Sequence, residues 1–170
     1  MNSSVRTLGF ALLASVSVNL FAADAAPAEK AAEKPAAAGP SPAKQAIAVR
    51  KAAFVLIANS FKGIGDASQG KAEYNQADIE KRAKRVLLLS EFLDGSFPEA
   101  SNVGEPDTKS KAEIWTQKAD FDKKLKEFQE HAATLVKVSA TEKTATDAFK
   151  EAASAVAKDC KGCHDSFKVK

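Results

Sequence analysis

Two cysteines and a histidine near the end of the chain have the spacing of a covalent haem attachment site. Cys160 and Cys163 are separated by two residues, and His164 follows directly. Cys-x-x-Cys-His is the sequence to which c-type haem is attached. In that chemistry the two thiols form thioethers with the porphyrin vinyl groups, and the adjacent imidazole binds the iron axially. The motif therefore predicts one covalent haem c on Cys160 and Cys163, with His164 as axial ligand.

Two other kinds of site share parts of this motif. A thioredoxin-like Cys-x-x-Cys needs alternating strands and helices around it, whereas the residues before Cys160 have helical spacing. A zinc site needs four ligands, and His131 is the only histidine or cysteine outside the motif. Because His131 lies far upstream of Cys160, outside the spacing of zinc fingers, the sequence favours haem over both alternatives.

The N-terminal residues predict export from the cytoplasm. Arg6 precedes an apolar stretch over residues 8–21, and small residues follow, with cleavage expected after Ala22 or Ala25. Residues 1–22 are therefore predicted to be a signal peptide, with an uncleaved N-terminal anchor as the alternative. Since haem attachment of this kind takes place outside the cytoplasm, we expect a periplasmic protein.

The rest of the chain divides into a tether and one folded domain. Residues 23–43 are rich in Ala, Pro, Lys and Glu without an apolar period, and such a composition predicts a flexible tether. Residues 44–170 are long enough for a single domain with a modest core. The formal net charge of +3 is too small to indicate binding to nucleic acid or to a membrane surface.

The domain has helical rather than strand periodicity. Apolar-periodic segments are separated by turn-forming residues, and they predict helices over residues 42–62, 75–94, 109–139 and 141–169. Gly63 and Gly65 are expected to follow the end of the first helix, and Thr141 or Thr144 to cap the fourth. Long amphipathic helices with short connections predict an all-α, up-down-up-down antiparallel four-helix bundle that carries the covalent haem.

These features together resemble cytochrome c′, the class II c-type cytochromes, which are a standard example of this bundle. The resemblance extends over residues 44–170. The matching pieces are Val-Arg-Lys-Ala-Ala-Phe at 49–54, Tyr-Asn at 74–75, Phe-Pro at 97–98, Ala-Glu-Ile-Trp at 112–115 with Phe121, and Cys-Lys-Gly-Cys-His-Asp-Ser-Phe-Lys at 160–168. The C-terminal haem motif is specific to this family when it occurs with the Arg-x-x-x-Phe and Ile-Trp pieces.

The resemblance implies roles for further residues around the haem. Phe54 matches the apolar side chain that covers the distal face, and without the resemblance a plain core residue is the alternative. Arg50 and Lys51 match positions that contact the haem propionates or the haem edge. Lys111 lies in a segment that touches the haem, and Lys168 matches a basic residue near the proximal histidine.

The sequence also limits what can bind the sixth position of the iron. Met1 is the only methionine, and it leaves with the signal peptide. His131 is the other strong candidate, although its mixed surroundings favour an exposed or edge histidine. A lysine ligand would have to lose its proton against an ordinary pKa near 10.4. We therefore expect five-coordinate iron with an open position.

The open position leads to competing functional hypotheses. Phe54, Ile57 and Ala58 offer no hydrogen-bond donor, which favours nitric oxide and carbon monoxide over dioxygen. The first hypothesis is therefore a gas-binding protein for nitric oxide capture and tolerance. The alternatives are a periplasmic electron-transfer cytochrome with its own redox partner, and a structural or sensor module. No acid or base is assigned to the open face, so we expect no enzymatic activity.

The resemblance also bears on assembly. Family members often dimerise through helices one and two, and the second helix carries Leu87 and Leu88 beside its core stripe. An exposed apolar surface of this kind is typical of a protein interface. We therefore expect a homodimer that is formed through helices one and two.

Overall fold

The computed structural model describes residues 39–104 and 106–170, and this part of the chain forms an antiparallel bundle of four long helices. The helices are α1 (Pro42–Ser68), α2 (Gln76–Glu91), the short α3 (Glu113–Thr116), α4 (Lys118–Thr141) and α5 (Asp147–Phe167), with a 3-10 turn at Glu99–Ser101. α1 packs against α2, α2 against α4, α4 against α5, and α5 against α1. The predicted all-α four-helix bundle is confirmed.

The predictions for the N-terminus fall on residues that the structure does not describe. The signal peptide and most of the tether lie outside the described residues. Within residues 39–104 and 106–170, no helix is both long and apolar enough to cross a membrane.

The first helix is longer than the sequence predicts, because it continues through Gly63 to Ser68. A Cβ atom at Gly63 would lie 2.8 Å from the guanidinium carbon of Arg82 on α2, so the glycine permits a close approach of the two helices. A glycine inside a helix costs about 1 kcal/mol relative to alanine. That cost is offset by the burial of Ile64 and Ala67, which are 0% and 2% exposed.

The predicted third helix is wrong at its start. It begins as α3, breaks at Gln117 where ψ is 44°, and resumes as α4. The residues before α3 are extended instead, because the C-terminal tail supplies their backbone partners. The Lys111 amide donates to the Phe167 carbonyl at 3.0 Å, and the Val169 amide donates to the Lys109 carbonyl at 2.8 Å. Side-chain periodicity carries no information about this backbone pairing.

The fourth helix is shorter than predicted at both ends. It begins at Asp147, and its N-cap is Thr146, whose hydroxyl accepts a hydrogen bond from the Phe149 amide at 3.3 Å. Neither Thr141 nor Thr144 is the cap, since Thr141 is the last residue of α4. A threonine that can reach the third amide of the helix satisfies an otherwise unpaired donor.

The bundle has a main core and a smaller aromatic cluster. The main core runs along all four long helices and contains fully buried side chains such as Ile64, Val86, Leu135, Phe149 and Val156. The aromatic cluster is formed by buried Ile114, Phe121 and Phe167, with partly buried Phe97, Trp115, Leu125 and Cys163 packed against it. The haem motif therefore lies where the main core gives way to the aromatic cluster.

Candidate functional site

The three motif residues lie together near the end of α5. Cys160, Cys163 and His164 follow one another at helical spacing, so their side chains share one side of the helix. Both cysteines are half-buried and free. Cys160 packs against the main core, and Cys163 packs against the aromatic cluster. The helix thus presents two thiols and an imidazole to the same region of the protein.

A cavity of about 510 Å³ lies beside this region. Small-molecule and cofactor sites commonly measure ~300–1,000 Å³. Its walls come from α1, from the connection between α2 and α3, from the starts of α3 and α4, and from the end of α5. The predicted site residues that line it are Arg50, Lys51, Phe54, Cys163, His164 and Lys168.

Part of the α1 side of the cavity is apolar. Phe54, Val55 and Ala58 line the cavity from this helix, together with Arg50 and Lys51. The rings of Phe54 and His164 meet edge-on, with centroids 6.4 Å apart. Ile57 does not belong to this wall, contrary to the sequence-based expectation, because its side chain is only 5% exposed and packs in the main core. Ile57 comes three residues after Phe54 and therefore lies at the edge of the side that Phe54 and Ala58 share, where it is turned towards the main core.

The ionisation of the motif residues suits a covalent haem. Burial, followed by the charge of Lys168, lowers the pKa of His164, so its imidazole stays neutral and keeps the lone pair that a metal ligand needs. Burial is also the main reason that the pKa of Cys160 is raised to about 11 and that the pKa of Cys163 is raised. Both thiols are therefore protonated at neutral pH. Two thiols and a neutral imidazole beside an apolar cavity fit the donor set of a c-type haem.

The two basic residues of α1 line the cavity but are also bonded to its wall. The guanidinium of Arg50 is buried and donates to Ser101 Oγ at 2.7 Å and to Thr108 Oγ1 at 2.9 Å. The ammonium of Lys51 donates to the Asp107 carbonyl at 2.8 Å. Their contacts with haem propionates remain predictions.

The other two predicted lysines are placed differently. Lys168 lines the cavity, and its positive charge acts on His164. Lys111 is not among the described residues that line the cavity. Its ammonium donates to the carbonyls of Asp165 and Ser166 at 3.4 and 3.3 Å, where a cation stabilises the C-terminal end of α5. The predicted contact of Lys111 with haem thus remains a prediction without a matching position in the cavity wall.

Some residues of the cavity wall were missed by sequence reasoning. Thr108, Lys109 and Ser110 line the cavity, and the last two belong to the segment that periodicity assigned to the third helix. An isolated antiparallel β-bridge pairs Ser110 with Lys168 and holds this segment beside the end of α5. The signal that could have located them is their position directly before the Ala-Glu-Ile-Trp piece at 112–115.

His131 does not line the cavity. Its Nδ1 lies 2.7 Å from Asp159 Oδ2, and its side chain is 45% exposed. The structure therefore supports the interpretation of His131 as an edge histidine that joins α4 to α5.

Comparison with known proteins extends over the whole helical domain. The sequence profile of the family described as cytochrome c′ matches residues 45–168. Cytochrome c′ from Rubrivivax gelatinosus is 34% identical over 126 residues, which cover 74% of this chain and 95% of the relative. Cytochrome c′ from Cereibacter sphaeroides is 33% identical over 141 residues, with 80% of this chain and 91% of the relative covered.

Solved structures agree with this comparison. Cytochrome c prime from Shewanella frigidimarina is similar with a TM-score of 0.71 and 36% identity, and the match covers 77% of this chain and 99% of that one. A ferrous variant of cytochrome c prime from Alcaligenes xylosoxidans with bound nitric oxide is similar with a TM-score of 0.69 and 26% identity, covering 77% and 98%.

Proposed function

The chain belongs to the cytochrome c′ family, which binds one covalent haem c, and from this premise we propose that Cys160 and Cys163 form its thioethers and that His164 is the axial ligand. When bound, the haem supplies an iron that can take up a small axial ligand. The apolar wall around Phe54 and the basic side chains of Lys51 and Lys168 suit an apolar porphyrin with anionic propionates. This assignment uses residues that all lie on α1 and at the end of α5.

Among the described residues, the side chains near the ring of Phe54 do not supply a ligand opposite His164. Phe54, Val55 and Ala58 carry only hydrocarbon side chains on the α1 side of the cavity. His131 is bonded to Asp159 outside the cavity, and the ammonium of Lys51 is held by a backbone carbonyl. We propose that the iron is five-coordinate and that this side is kept free for an external diatomic ligand.

We propose that the function is the binding of nitric oxide and carbon monoxide, in the service of nitric oxide capture and tolerance in the periplasm. The observation that carries the proposal is the group of hydrocarbon side chains around Phe54, which provides no hydrogen-bond donor to favour dioxygen or anions. The related Alcaligenes protein with bound nitric oxide supports gas binding at a site of this kind.

Spectroscopic titration of the exported holoprotein tests this function. We expect the ferrous protein to be high-spin and to bind nitric oxide and carbon monoxide, with no stable dioxygen complex. A strain that lacks the protein should grow more slowly after exposure to a nitric oxide donor. The intact gene should restore growth, whereas a gene with Cys160→Ala and Cys163→Ala should not. Equal growth of all strains would contradict the role in nitric oxide tolerance.

A second candidate function is electron transfer with a periplasmic partner. The charged side chains of the described cavity lining are all basic, and they include the lysines Lys51, Lys109 and Lys168. Basic groups around a cavity favour association with an acidic partner, and such association weakens as ionic strength rises. Fast electron exchange with a periplasmic partner, together with weak nitric oxide binding, would favour this function over gas capture.

We also propose a homodimer formed through α1 and α2. Leu56 on α1 is 52% exposed, Leu88 on α2 is 58% exposed, and Phe92, which directly follows α2, is 62% exposed. Leu87, which the sequence grouped with Leu88, is partly buried and packs against the main core. Sedimentation of the wild type and of Leu56→Glu measures the dimer. A monomeric wild type would contradict this assembly.

A further inference from the structure

The connection between α2 and α3 is held by one buried cation. We call residues 92–104 and 106–112 the strap. Arg50 is 2% exposed and donates from Nη1 to the Ser96 carbonyl at 3.4 Å and to Ser101 Oγ at 2.7 Å. From Nη2 it donates to the Ser101 carbonyl at 3.4 Å and to Thr108 Oγ1 at 2.9 Å. A single guanidinium thus joins three separate points of the strap to α1.

The surroundings of Arg50 make these bonds mutually dependent. Its described partners are carbonyls, hydroxyls and aromatic rings, with the guanidinium carbon 4.9 Å from the ring centroid of Phe97 and 6.0 Å from that of Trp115. Arginine remains protonated in proteins. A buried charge is costly unless all its donors are paired. Among the described residues, the strap therefore supplies the hydrogen-bond acceptors that stabilise the charge of Arg50.

The strap in turn forms one side of the cavity. It contributes Phe97, Thr108, Lys109 and Ser110 to the lining. The Thr108 hydroxyl that accepts from Arg50 donates to Ser110 Oγ at 3.1 Å. Ser110 is paired with Lys168, four residues after His164, in the isolated β-bridge. Release of the strap from Arg50 would therefore open the cavity on this side and loosen the backbone behind the axial ligand.

We propose that Arg50 is a positioning residue, a clasp that keeps the strap closed and so limits the rate at which small ligands enter and leave the cavity. The effect on the rate of ligand entry rests on the proposed function. The closure of the strap does not depend on the proposed function, because strap closure is measured by exchange of backbone amides.

Amide hydrogen exchange of the holoprotein tests the clasp directly. In Arg50→Met, a change that keeps an unbranched side chain and removes every donor, we expect exchange in the strap to rise about tenfold or more, since opening no longer breaks bonds to a charged donor. The amides of α4 around Leu135 should keep their rates. When flash photolysis releases carbon monoxide from the ferrous variant, the rate of rebinding should be several-fold higher than in the wild type.

Two further variants separate the clasp from a general loss of stability. Arg50→Lys should restore strap exchange only in part, because an ammonium lacks the fork that reaches separate acceptors. Arg82→Met is the matched control. It removes an arginine that pairs with Asp78 on α2, and strap exchange should stay at the wild-type rate.

The following results would overturn one or the other part of the proposal. Unchanged strap exchange in Arg50→Met, or an equal rise in the strap and in α4, would overturn the clasp. If that variant does not accumulate with haem, Thr108→Val and Ser101→Ala remove acceptors while keeping Arg50, and unchanged strap exchange in both would likewise overturn it. If the wild type binds no carbon monoxide but strap exchange still rises in Arg50→Met, the gas-binding function is overturned. The role of Arg50 in holding the strap is then still supported.

Discussion

Phe54 on α1 and His164 on α5 face each other with their ring centroids 6.4 Å apart and their planes inclined at 68°. The two residues come from the first and last helices of the bundle. If His164 is the axial ligand as proposed, a ligand that approaches opposite the imidazole would meet the ring of Phe54. Access of a ligand would then depend on how α1 packs beside α5 as well as on the haem motif.

Replacement of Phe54 tests this relationship. Phe54→Ala should strengthen carbon monoxide binding to the ferrous protein by at least about tenfold, because the crowding ring is removed. Phe54 is 37% exposed, so we expect the free energy of unfolding to fall by about 1–3 kcal/mol, less than for a fully buried phenylalanine. Equilibrium titration with carbon monoxide and urea unfolding measure the two effects.

Phe61→Ala is the matched control on the same helix. Phe61 packs against the main core and does not line the cavity among the described residues. Its replacement should lower the free energy of unfolding without changing carbon monoxide affinity. If both variants leave the affinity unchanged, Phe54 does not control access.

Covalent attachment is tested at the two cysteines. Cys160→Ala with Cys163→Ala should abolish covalent haem and destabilise the bundle, because the cofactor fills the cavity beside the aromatic cluster. Each single variant should retain one thioether. Acid–acetone extraction followed by mass spectrometry of the protein checks this, and haem that resists extraction from the double variant would contradict the assignment.

If the iron has the open position that we propose, its spin state should not depend on His131. The ferrous protein should have a broad Soret band and no sharp α band at neutral pH, and His131→Ala should have the same spectrum. The variant loses only the bond to Asp159, which is partly exposed to solvent, so we expect a stability cost below about 1 kcal/mol. A low-spin spectrum in the wild type that becomes high-spin in His131→Ala would show that His131 binds the iron.

Tyr74 predicts how stability depends on alkaline pH. Its hydroxyl donates to the Glu142 carbonyl at 2.9 Å, and burial, followed by the charge of Glu142, raises the pKa of Tyr74. As pH rises above about 10, the unfolded state loses this proton before the folded state does, so the free energy of unfolding falls. Tyr74→Phe should cost about 1 kcal/mol at pH 7 and should show a smaller fall at high pH. Parallel urea curves at pH 7 and pH 10.5 measure the difference, and identical falls in both proteins would contradict it.

The sequence predicts those parts of the structure that local patterns determine. The haem motif, the four apolar-periodic segments and their antiparallel arrangement follow from residues close together in the chain. The continuation of α1 through Gly63 does not, because its cause is the distant Arg82. The extended segment at 109–111 likewise depends on the C-terminal tail, whose backbone competes with the helix for the same amides.

The same limit applies to the candidate site. The family resemblance identifies Arg50 as a residue of the haem region, but its partners Ser101 and Thr108 lie 51 and 58 residues further along the chain. Serine and threonine in a polar connection give no sign that they will be buried against a cation. That relationship becomes visible only when the bundle brings α1 beside the strap.

The uneven distribution of buried side chains along the bundle has a consequence for turnover in the cell. The main core extends through all four long helices, whereas the end beside the cavity relies on Ile114, Phe121, Phe167 and a few partly buried neighbours. In a chain that has not received its haem, we expect the weaker end to open locally more often and to expose the strap to proteases. Proteolysis should therefore remove such chains first, so that the protein that accumulates is the fraction already loaded with its cofactor.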